Sequence, residues 1–373
     1  MNILIAPDKF KGSLTANEVC DAIRSGLLQV KSDLYIISIP MADGGEGTCE
    51  LLTHYFGGNM ISLEVTGPRF EKIKAEYGIS KDGTTAFIEM AKASGLQLLK
   101  SEDRNPLLTT TLGTGELIKD ALERGVTKIL MGIGGSATND AGIGMAQALG
   151  FEFYDESGNR LEPIGKSLIQ IHSIKTDRVH SLIKEKQGAF SALCDVDNSL
   201  YGPRGAAYTY APQKGADKEA VKLLDEGLRN FEMVIKKTFN VSPDFPGAGA
   251  GGGLPGGAKA FFDIAIHHGM DYIIQATGLE QKIQQADLII TGEGKIDQQT
   301  LAGKVVMEIG KLGMRHHKKV VAITGKCELR NLELQKIGIA EVISLMDYQV
   351  SETEAVTNAF YLIQEKAKSL IKI

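Results

Sequence analysis

The chain contains 373 residues, with 41 Lys and Arg against 46 Asp and Glu, a formal charge of -5 and 43% apolar residues. This composition is typical of soluble globular proteins and excludes collagen, coiled coil and intrinsic disorder. The length predicts about two domains. Affinity for nucleic acid depends on clustered Lys and Arg residues that neutralise phosphates, and a mildly acidic composition does not indicate such clusters. We therefore expect no nucleic-acid partner.

Apolar stretches such as residues 128–131 are too short to span a bilayer. Asp8 and Lys9 occupy positions where a signal peptide would still be hydrophobic. We therefore expect no membrane partner and a cytoplasmic location. The cysteines show no C-x-x-C spacing, which argues against a disulfide framework or a zinc site. They are Cys20, Cys49, Cys194 and Cys327.

The N-terminal part of the chain predicts strand, helix, strand and helix in succession. Residues 2–6 form a short apolar run. Thr15 and Glu18 have the spacing of a capping box at the start of the first helix. The second strand is predicted at 34–39 and the second helix at 46–56.

The middle of the chain follows a different pattern. Residues 60–65, 73–79 and 84–90 predict three successive strands with only turns between them, which indicates antiparallel pairing. The other predicted elements of this part are a helix at 114–124, a strand at 128–132, a helix at 141–149, a strand at 190–194 and a helix at 218–237.

The C-terminal part returns to alternating strands and helices. Strands are predicted at 286–291, 320–324 and 341–346, helices at 300–312 and 332–337, and a last helix capped by Ser351 and Glu354. The five strands near the two ends of the chain are almost continuously apolar, as in a parallel sheet covered by helices on both faces.

These patterns predict an α/β fold with two domains. Residues 1–64 and 285–373 are expected to form a discontinuous, doubly wound domain with a parallel five-stranded sheet. Residues 65–284 are expected to form an inserted α+β domain.

Polar residues follow several predicted strands, and ligands of open α/β sheets bind beyond the carboxyl ends of the strands. The segments are Asp8 to Ser13, Asp43 to Thr48, Thr291 to Asp297, Gly132 to Asp140, and Asp195 to Asn198. Such a mixture suits phosphoryl transfer. Carboxylates bind Mg²⁺ or accept a hydroxyl proton, while lysines and backbone amides face phosphate oxygens.

The common nucleotide-binding motifs are missing from the sequence. It contains no Walker loop, and no G-x-G-x-x-G follows the first strand, which disfavours a nicotinamide cofactor. The glycine-rich segments 132–144 and 247–257 could form a nucleotide site of another kind. Turns and helix caps also explain many of these residues. For Arg204 and Lys214 the sequence favours two interpretations equally: residues that bind a ligand carboxylate, or residues of the solvated surface.

Six long strings of the sequence appear in one order over essentially its full length. They are APDKFKGSLTA, MADGGEGT, GIGGSATNDAGIGMAQALG, CDVDNSLYGPRGAAYTYAPQKGA, PGAGAGGGLPGGA and TGEGKIDQQTLAGK. Through them the chain resembles the type-1 glycerate kinase family. The resemblance implies transfer of the ATP γ-phosphate to glycerate, usually giving 2-phosphoglycerate. It also implies a flavodoxin-like domain with an inserted second α/β domain. Composition and spacing do not identify glycerate.

We expect ATP, Mg²⁺ and glycerate to meet at the carboxyl edge of the five-stranded sheet, in a cleft between the domains. Asp43 or Asp195 is the expected general base or Mg²⁺ ligand, with Asp8 and Asp197 as second choices. Asp195 and Asp197 are the candidate Mg²⁺ ligands. The candidate substrate-binding residues are Lys9, Lys11, Ser13 and Arg204. The candidate nucleotide- or phosphate-binding residues are Gly134, Gly135, Ser136, Asn139, Glu293 and Lys295.

Two alternative functions stay open at this point. One is a kinase of another small hydroxy acid or polyol, and the other is a non-enzymatic regulator that binds a nucleotide or a sugar acid. The regulator is disfavoured, because unpaired strand-end carboxylates would repel an anionic ligand. The sequence does not determine the oligomeric state, and it is compatible with a homodimer.

Overall fold

A computed structural model describes residues 1–42, 44–184, 189–346 and 350–371. The chain divides into two compact units, a first unit of residues 1–43 and 269–373 and a second unit of residues 44–268.

The helices and strands of the structure, in chain order, are β1 (Asn2–Ile5), α1 (Ala16–Val30), β2 (Tyr35–Ser38), α2 (Thr48–Tyr55), β3 (Asn59–Thr66), β4 (Lys72–Ile79), β5 (Thr85–Glu89), α3 (Ala91–Ser94), α4 (Leu112–Glu123), β6 (Lys128–Gly132), α5 (Ile143–Ala148), β7 (Glu152–Tyr154), β8 (Ser173–Lys175), α6 (Ser181–Lys184), β9 (Ala189–Leu193), α7 (Ala206–Tyr210), α8 (Lys218–Phe239), α9 (Ala250–Phe262), β10 (Ala265–His267), α10 (Gly269–Thr277), α11 (Leu279–Gln285), β11 (Leu288–Ile296), α12 (Val305–Arg315), β12 (Lys319–Cys327), α13 (Asn331–Lys336), β13 (Glu341–Ser344), α14 (Glu352–Thr357) and α15 (Ala359–Lys368). Short 3-10 helices lie at Leu96–Leu98, Ser101–Asp103, Gly165–Gln170, Pro212–Lys214 and Thr300–Ala302.

The unit boundaries differ from the predicted domain boundaries. They fall at 43/44 and 268/269 rather than at 64/65 and 284/285. Helix α2 packs against β4 and β5, and β3 pairs along its whole length with β4, so both elements belong to the second unit. Helix α11 packs against β1 and α12, which places it in the first unit.

The first unit contains a five-stranded parallel sheet in the order β2-β1-β11-β12-β13. Helices α1 and α15 pack on one face of this sheet, around Ile23, Ile290 and Ile363, and α12 packs on the other face. Both faces are therefore buried, which explains why the strands are almost continuously apolar. The prediction of an α/β fold with a parallel sheet is confirmed.

The helix starts follow the predicted capping residues. Thr15 accepts a hydrogen bond from the Glu18 amide, and the Glu18 carboxylate accepts one from the Thr15 amide, so the capping box is present. Ser351 accepts a hydrogen bond from the Glu354 amide at the start of α14. The prediction of a single last helix was wrong, because Asn358 separates α14 from α15.

Strand β11 is longer than the sequence predicts. The prediction ends this strand at Thr291, whereas it continues to Ile296 with Glu293 opposite Thr324 of β12. A Cβ at Gly292 would lie 2.2 Å from the Ile323 carbonyl oxygen, so only glycine allows this approach. The acidic segment around Glu293 is therefore part of a paired strand and not a loop.

The second unit contains a six-stranded sheet in the order β10-β9-β6-β5-β4-β3 and a two-stranded sheet of β7 and β8. Strands β3, β4 and β5 pair antiparallel as predicted, but β5 also pairs in parallel with β6. Strands β6, β9 and β10 continue in parallel. The carboxyl ends of four parallel strands thus lie along one edge of this sheet.

The described residues include no helix that is long and apolar enough to cross a membrane.

Candidate active site

The first unit brings Asp8 and Glu293 together at the carboxyl edge of its sheet. The Asp8 amide donates to the Gly292 carbonyl oxygen at 2.8 Å, and the Asp8 side chain accepts from the Lys9 amide at 2.7 Å. Both carboxylates are buried, Asp8 at 8% and Glu293 at 5% exposure. Buried neighbouring carboxylates are expensive to ionise together.

Glu293 accepts a hydrogen bond of 2.6 Å from the Thr300 hydroxyl. Burial raises the pKa of Glu293 to about 7, and the Asp8 and Asp297 charges add to the rise. The Thr300 hydrogen bond and Lys304 oppose it. A carboxyl group with a pKa near neutrality can exchange a proton at the pH of the cell.

The loop after β1 crosses the end of β11. A Cβ at Gly294 would lie 3.2 Å from the Lys11 amide nitrogen. The Lys11 side chain is exposed, and Lys9 is half-buried. The Ser13 hydroxyl donates to the Val356 carbonyl oxygen at 2.6 Å, a contact that ties this loop to α14.

Lys295 forms ion pairs at the end of β11. Its ammonium lies 3.3 Å from Asp297 and 3.0 Å from Glu328. These pairs hold a half-exposed lysine beside two carboxylates.

Asp43 lies outside the described residues. The segment that follows it, in the second unit, packs at the end of β6. A Cβ at Gly132 would lie 3.4 Å from the Gly44 carbonyl oxygen, and one at Gly134 would lie 3.9 Å from Gly45 Cα. Beside Gly132, at the end of β5, is Glu89, which is buried and accepts a hydrogen bond of 2.8 Å from the Cys49 amide. Sequence reasoning missed Glu89, although it also is a carboxylate at a strand end.

Asp195 and Asp197 lie on an exposed loop after β9. Asp197 pairs with Arg204 at 3.3 Å, and Asp195 lies 3.6 Å from His268, which sequence reasoning missed. The Asp195 and Asp197 side chains are 49% and 77% exposed. This segment thus presents two carboxylates and a guanidinium to a ligand from solvent.

Asn198 fixes this acidic loop to its neighbours. Its side-chain amide donates to the Arg204 carbonyl oxygen at 2.7 Å, and its side-chain oxygen accepts from the Tyr210 hydroxyl at 2.6 Å. Its backbone carbonyl accepts from the amides of Gly247 and Gly249. The loop is therefore pre-organised before any ligand arrives.

The predicted nucleotide segment after β6 has an exposed turn and a buried continuation. Gly134 and Gly135 are exposed, and Gly135 has a φ of 75°. Ser136 and Asn139 are buried, and neither polar atom of the Asn139 side chain has a hydrogen-bond partner among the residues that the structure describes. Buried amides are normally hydrogen-bonded, so Asn139 indicates a place for a water or a ligand atom.

Asp140 anchors this segment. Its buried carboxylate accepts hydrogen bonds from the Thr111 amide and hydroxyl at 2.8 Å and from the amides of Gly142 and Gly144. Burial raises the pKa of Asp140, and these donors oppose the rise.

The second glycine-rich segment packs directly against the first. Gly251, Gly252 and Gly253 all have positive φ, and a Cβ at Gly252 would lie 2.0 Å from the Thr138 carbonyl oxygen. Regular helix resumes at Leu254, so Pro255 lies in a first turn, where a missing amide costs little. These glycines permit a close approach of two backbones.

Lys214 is not a solvated surface residue. It is 2% exposed, and its ammonium donates to the Ser136 hydroxyl oxygen at 2.6 Å and to the Thr138 carbonyl oxygen at 2.7 Å. Burial lowers the pKa of Lys214 to about 7, and the Asp140 charge opposes this change. No pattern in the sequence separates this lysine from the exposed lysines around it.

A metal site built by protein ligands alone is not found in the ranges that the structure describes, since no group of three or more His, Cys, Asp or Glu side chains there could hold an ion. Mg²⁺ that accompanies a nucleotide needs only one or two carboxylates, with phosphates and waters as the other ligands. Asp195 and Asp197 match that donor set.

Residues 3–373 match the model of the glycerate kinase family. The chain belongs to the glycerate kinase family. It is 42% identical to a glycerate kinase of Bacillus cereus, covering 100% of this chain and 98% of that protein. It is also 42% identical to the glycerate 2-kinase of Escherichia coli, covering 96% and 94%. These matches confirm the resemblance found in the sequence.

The fold agrees with that of a solved relative. A crystal structure from Salmonella typhimurium LT2, of a protein provisionally named glycerate kinase 2, matches with a TM-score of 0.89 and 39% identity over 99% of this chain and 97% of that one. The glycerate kinase family thus accounts for both units of the chain.

Proposed function

We propose that this protein transfers the γ-phosphoryl group of ATP to a hydroxyl of glycerate, with 2-phosphoglycerate as the product. The observation that carries the proposal is the match of residues 3–373 to the glycerate kinase family. The name of the Escherichia coli relative, glycerate 2-kinase, supports position 2. We place the reaction in the cytoplasm, because it consumes ATP.

The proposed Mg²⁺ ligands are Asp195 and Asp197. Their carboxylates lie one residue apart on an exposed loop, and oxygen ligands of this kind suit Mg²⁺. When bound, the ion would neutralise the charge of the transferred phosphoryl group.

The proposed general base is Asp43 or Asp195, with Asp8 and Asp197 as further candidates. Each follows a strand, where a carboxylate can accept the proton of the reacting hydroxyl. Lys9, Lys11, Ser13 and Arg204 are proposed to bind the glycerate carboxylate. The residues proposed to bind nucleotide or phosphate are Gly134, Gly135, Ser136, Asn139, Glu293 and Lys295.

We also propose that the first unit is flavodoxin-like. Its five strands, numbered within the unit, have the order 2-1-3-4-5. This order is that of flavodoxin-like sheets, whose ligands bind at the point where the strand order reverses. Here the reversal lies between β1 and β11, the strands that lead to Asp8 and Glu293.

The test is ADP release with Mg-ATP and each enantiomer of glycerate, followed by phosphorus NMR of the product. We expect ADP release that depends on glycerate and a phosphate ester at position 2. Asp43→Asn and Asp195→Asn should each lower kcat by about 100-fold or more if the residue is the base. Asp177→Asn, at an exposed turn of the second unit, is the matched control. Wild-type kcat in both active-site variants would refute the assignment of the base.

A further inference from the structure

Lys214 reaches the segment after β6 from a distant part of the chain. It ends the 3-10 helix Pro212–Lys214, and the next residue, Gly215, has a φ of 93°. A Cβ at Gly215 would lie 2.3 Å from the Arg104 carbonyl oxygen, so glycine is needed where Lys214 enters the interior.

The burial of a lysine is by itself a weak argument for a role in stability. Removing an ammonium from water costs several kcal/mol, and apolar residues of similar size often replace buried charges without loss. Its two short hydrogen bonds both go to one segment, at Ser136 and Thr138. The lysine therefore acts on the conformation of that segment.

The hydrogen bond to Ser136 has a direction. A charged ammonium can only donate, so the Ser136 oxygen is the acceptor and keeps its own hydroxyl hydrogen for another group. A hydroxyl that accepts from a cation is also polarised and becomes a stronger donor. Ser136 lies directly after Gly134 and Gly135, which are exposed.

We propose that Lys214 is a positioning residue that orients the Ser136 hydroxyl as a hydrogen-bond donor to an anionic ligand oxygen at the Gly134–Gly135 turn. This inference rests on the proposed function, in which the ligand oxygen belongs to a phosphate of ATP or to the carboxylate of glycerate. The chemistry is the same for both, a hydroxyl donor and a negatively charged oxygen.

The test compares Lys214→Met, Ser136→Ala and the double variant in steady-state kinetics, with the KM of ATP and of glycerate measured separately. Loss of one hydrogen bond to a charged group should raise one KM by about ten-fold. The KM that changes identifies the ligand. Because both residues act through one hydroxyl, the double variant should show no larger change than either single variant.

Lys237→Met is the control, an exposed lysine of α8. Unchanged KM values in Ser136→Ala would overturn the proposal. If Lys214→Met does not fold, Ser136→Ala alone tests whether the Ser136 hydroxyl donates to the ligand. Changes that multiply in the double variant would also overturn it, since they would mean independent action. If the wild type neither binds nor phosphorylates glycerate, the proposed function fails instead.

The pH dependence gives a second measurement. Asp140 is the charged group that acts on Lys214 among the described residues. As the pH rises through about 7, the ammonium loses its proton and its nitrogen can accept from Ser136. The hydroxyl then turns away from the ligand, so the affected KM should rise in the wild type and stay flat in Ser136→Ala. A wild-type KM that is equally flat would contradict the proposed orientation.

Discussion

Replacing Glu293 by glutamine should change how the stability of the first unit depends on pH. Glu293 is 5% exposed and lies near the Asp8 and Asp297 charges, and these surroundings raise its pKa from 4.5 to about 7. Glutamine keeps an oxygen that can accept the hydrogen bond of Thr300. The substitution therefore removes the ionisation while it preserves the volume and the main contact.

The sign follows from proton binding in the two states. Between pH 4.5 and about 7 the folded protein holds the Glu293 proton, and the unfolded chain has lost it. The free energy of unfolding of the wild type therefore falls as the pH rises through this window. A difference of about 2.5 pKa units corresponds to about 3 kcal/mol. Glu293→Gln lacks this loss, so it should become more stable relative to the wild type by about 3 kcal/mol at pH 8.

The measurement is urea unfolding followed by circular dichroism at pH 5, 6, 7 and 8 for the wild type and Glu293→Gln. Glu328→Gln is the matched control, because Lys326 and Lys295 hold the pKa of Glu328 below its usual range. Its difference from the wild type should stay constant from pH 5 to 8. A constant difference for Glu293→Gln as well would show that Glu293 ionises normally and would refute the argument from burial.

Two further substitutions and one crystallographic observation test local contacts within the individual units. Gly252→Ala should lower the free energy of unfolding by at least about 2 kcal/mol more than Gly158→Ala. Both glycines have a similar positive φ, but only at Gly252 would the added Cβ lie 2.0 Å from a backbone oxygen, that of Thr138. Equal losses in the two variants would contradict the close backbone packing. Thr15→Ala should lower the free energy of unfolding by about 1 kcal/mol through loss of the capping box, measured by urea titration, and an unchanged midpoint would contradict that role. A high-resolution crystal structure should contain a water or ligand atom about 3 Å from the side-chain amide of Asn139. An empty space there would contradict the inference that Asn139 binds a water or a ligand atom.

The sequence was informative about local structure. Capping residues such as Thr15 and Ser351 act on amides only three positions away, so the starts of α1 and α14 could be predicted from short-range spacing. The strands of the first unit were recognisable because burial on both faces makes their central parts largely apolar. The motif strings also carried the family resemblance, which the full-length match confirms.

Several features of the candidate site depend on contacts between distant residues. Glu293 lies in a strand and not in a loop because β12 supplies partners as far as Cys327. The pKa of Glu293 depends on Asp8, which is far away in the sequence but near it in the fold. Arg204 pairs with Asp197 across a turn, a contact that residue spacing allows but does not specify.

Lys214 marks the limit of what the sequence determines. By residue type it belongs at the surface, since lysines are seldom buried. Only the folded second unit places it beside Ser136 and Thr138, where two oxygens and the nearby Asp140 carboxylate offset the cost of burying its charge. The sequence by itself predicted most helices and strands of the first unit and the family to which the chain belongs. The tertiary structure decided which charged groups are buried, because burial depends on neighbours that only the folded chain brings together.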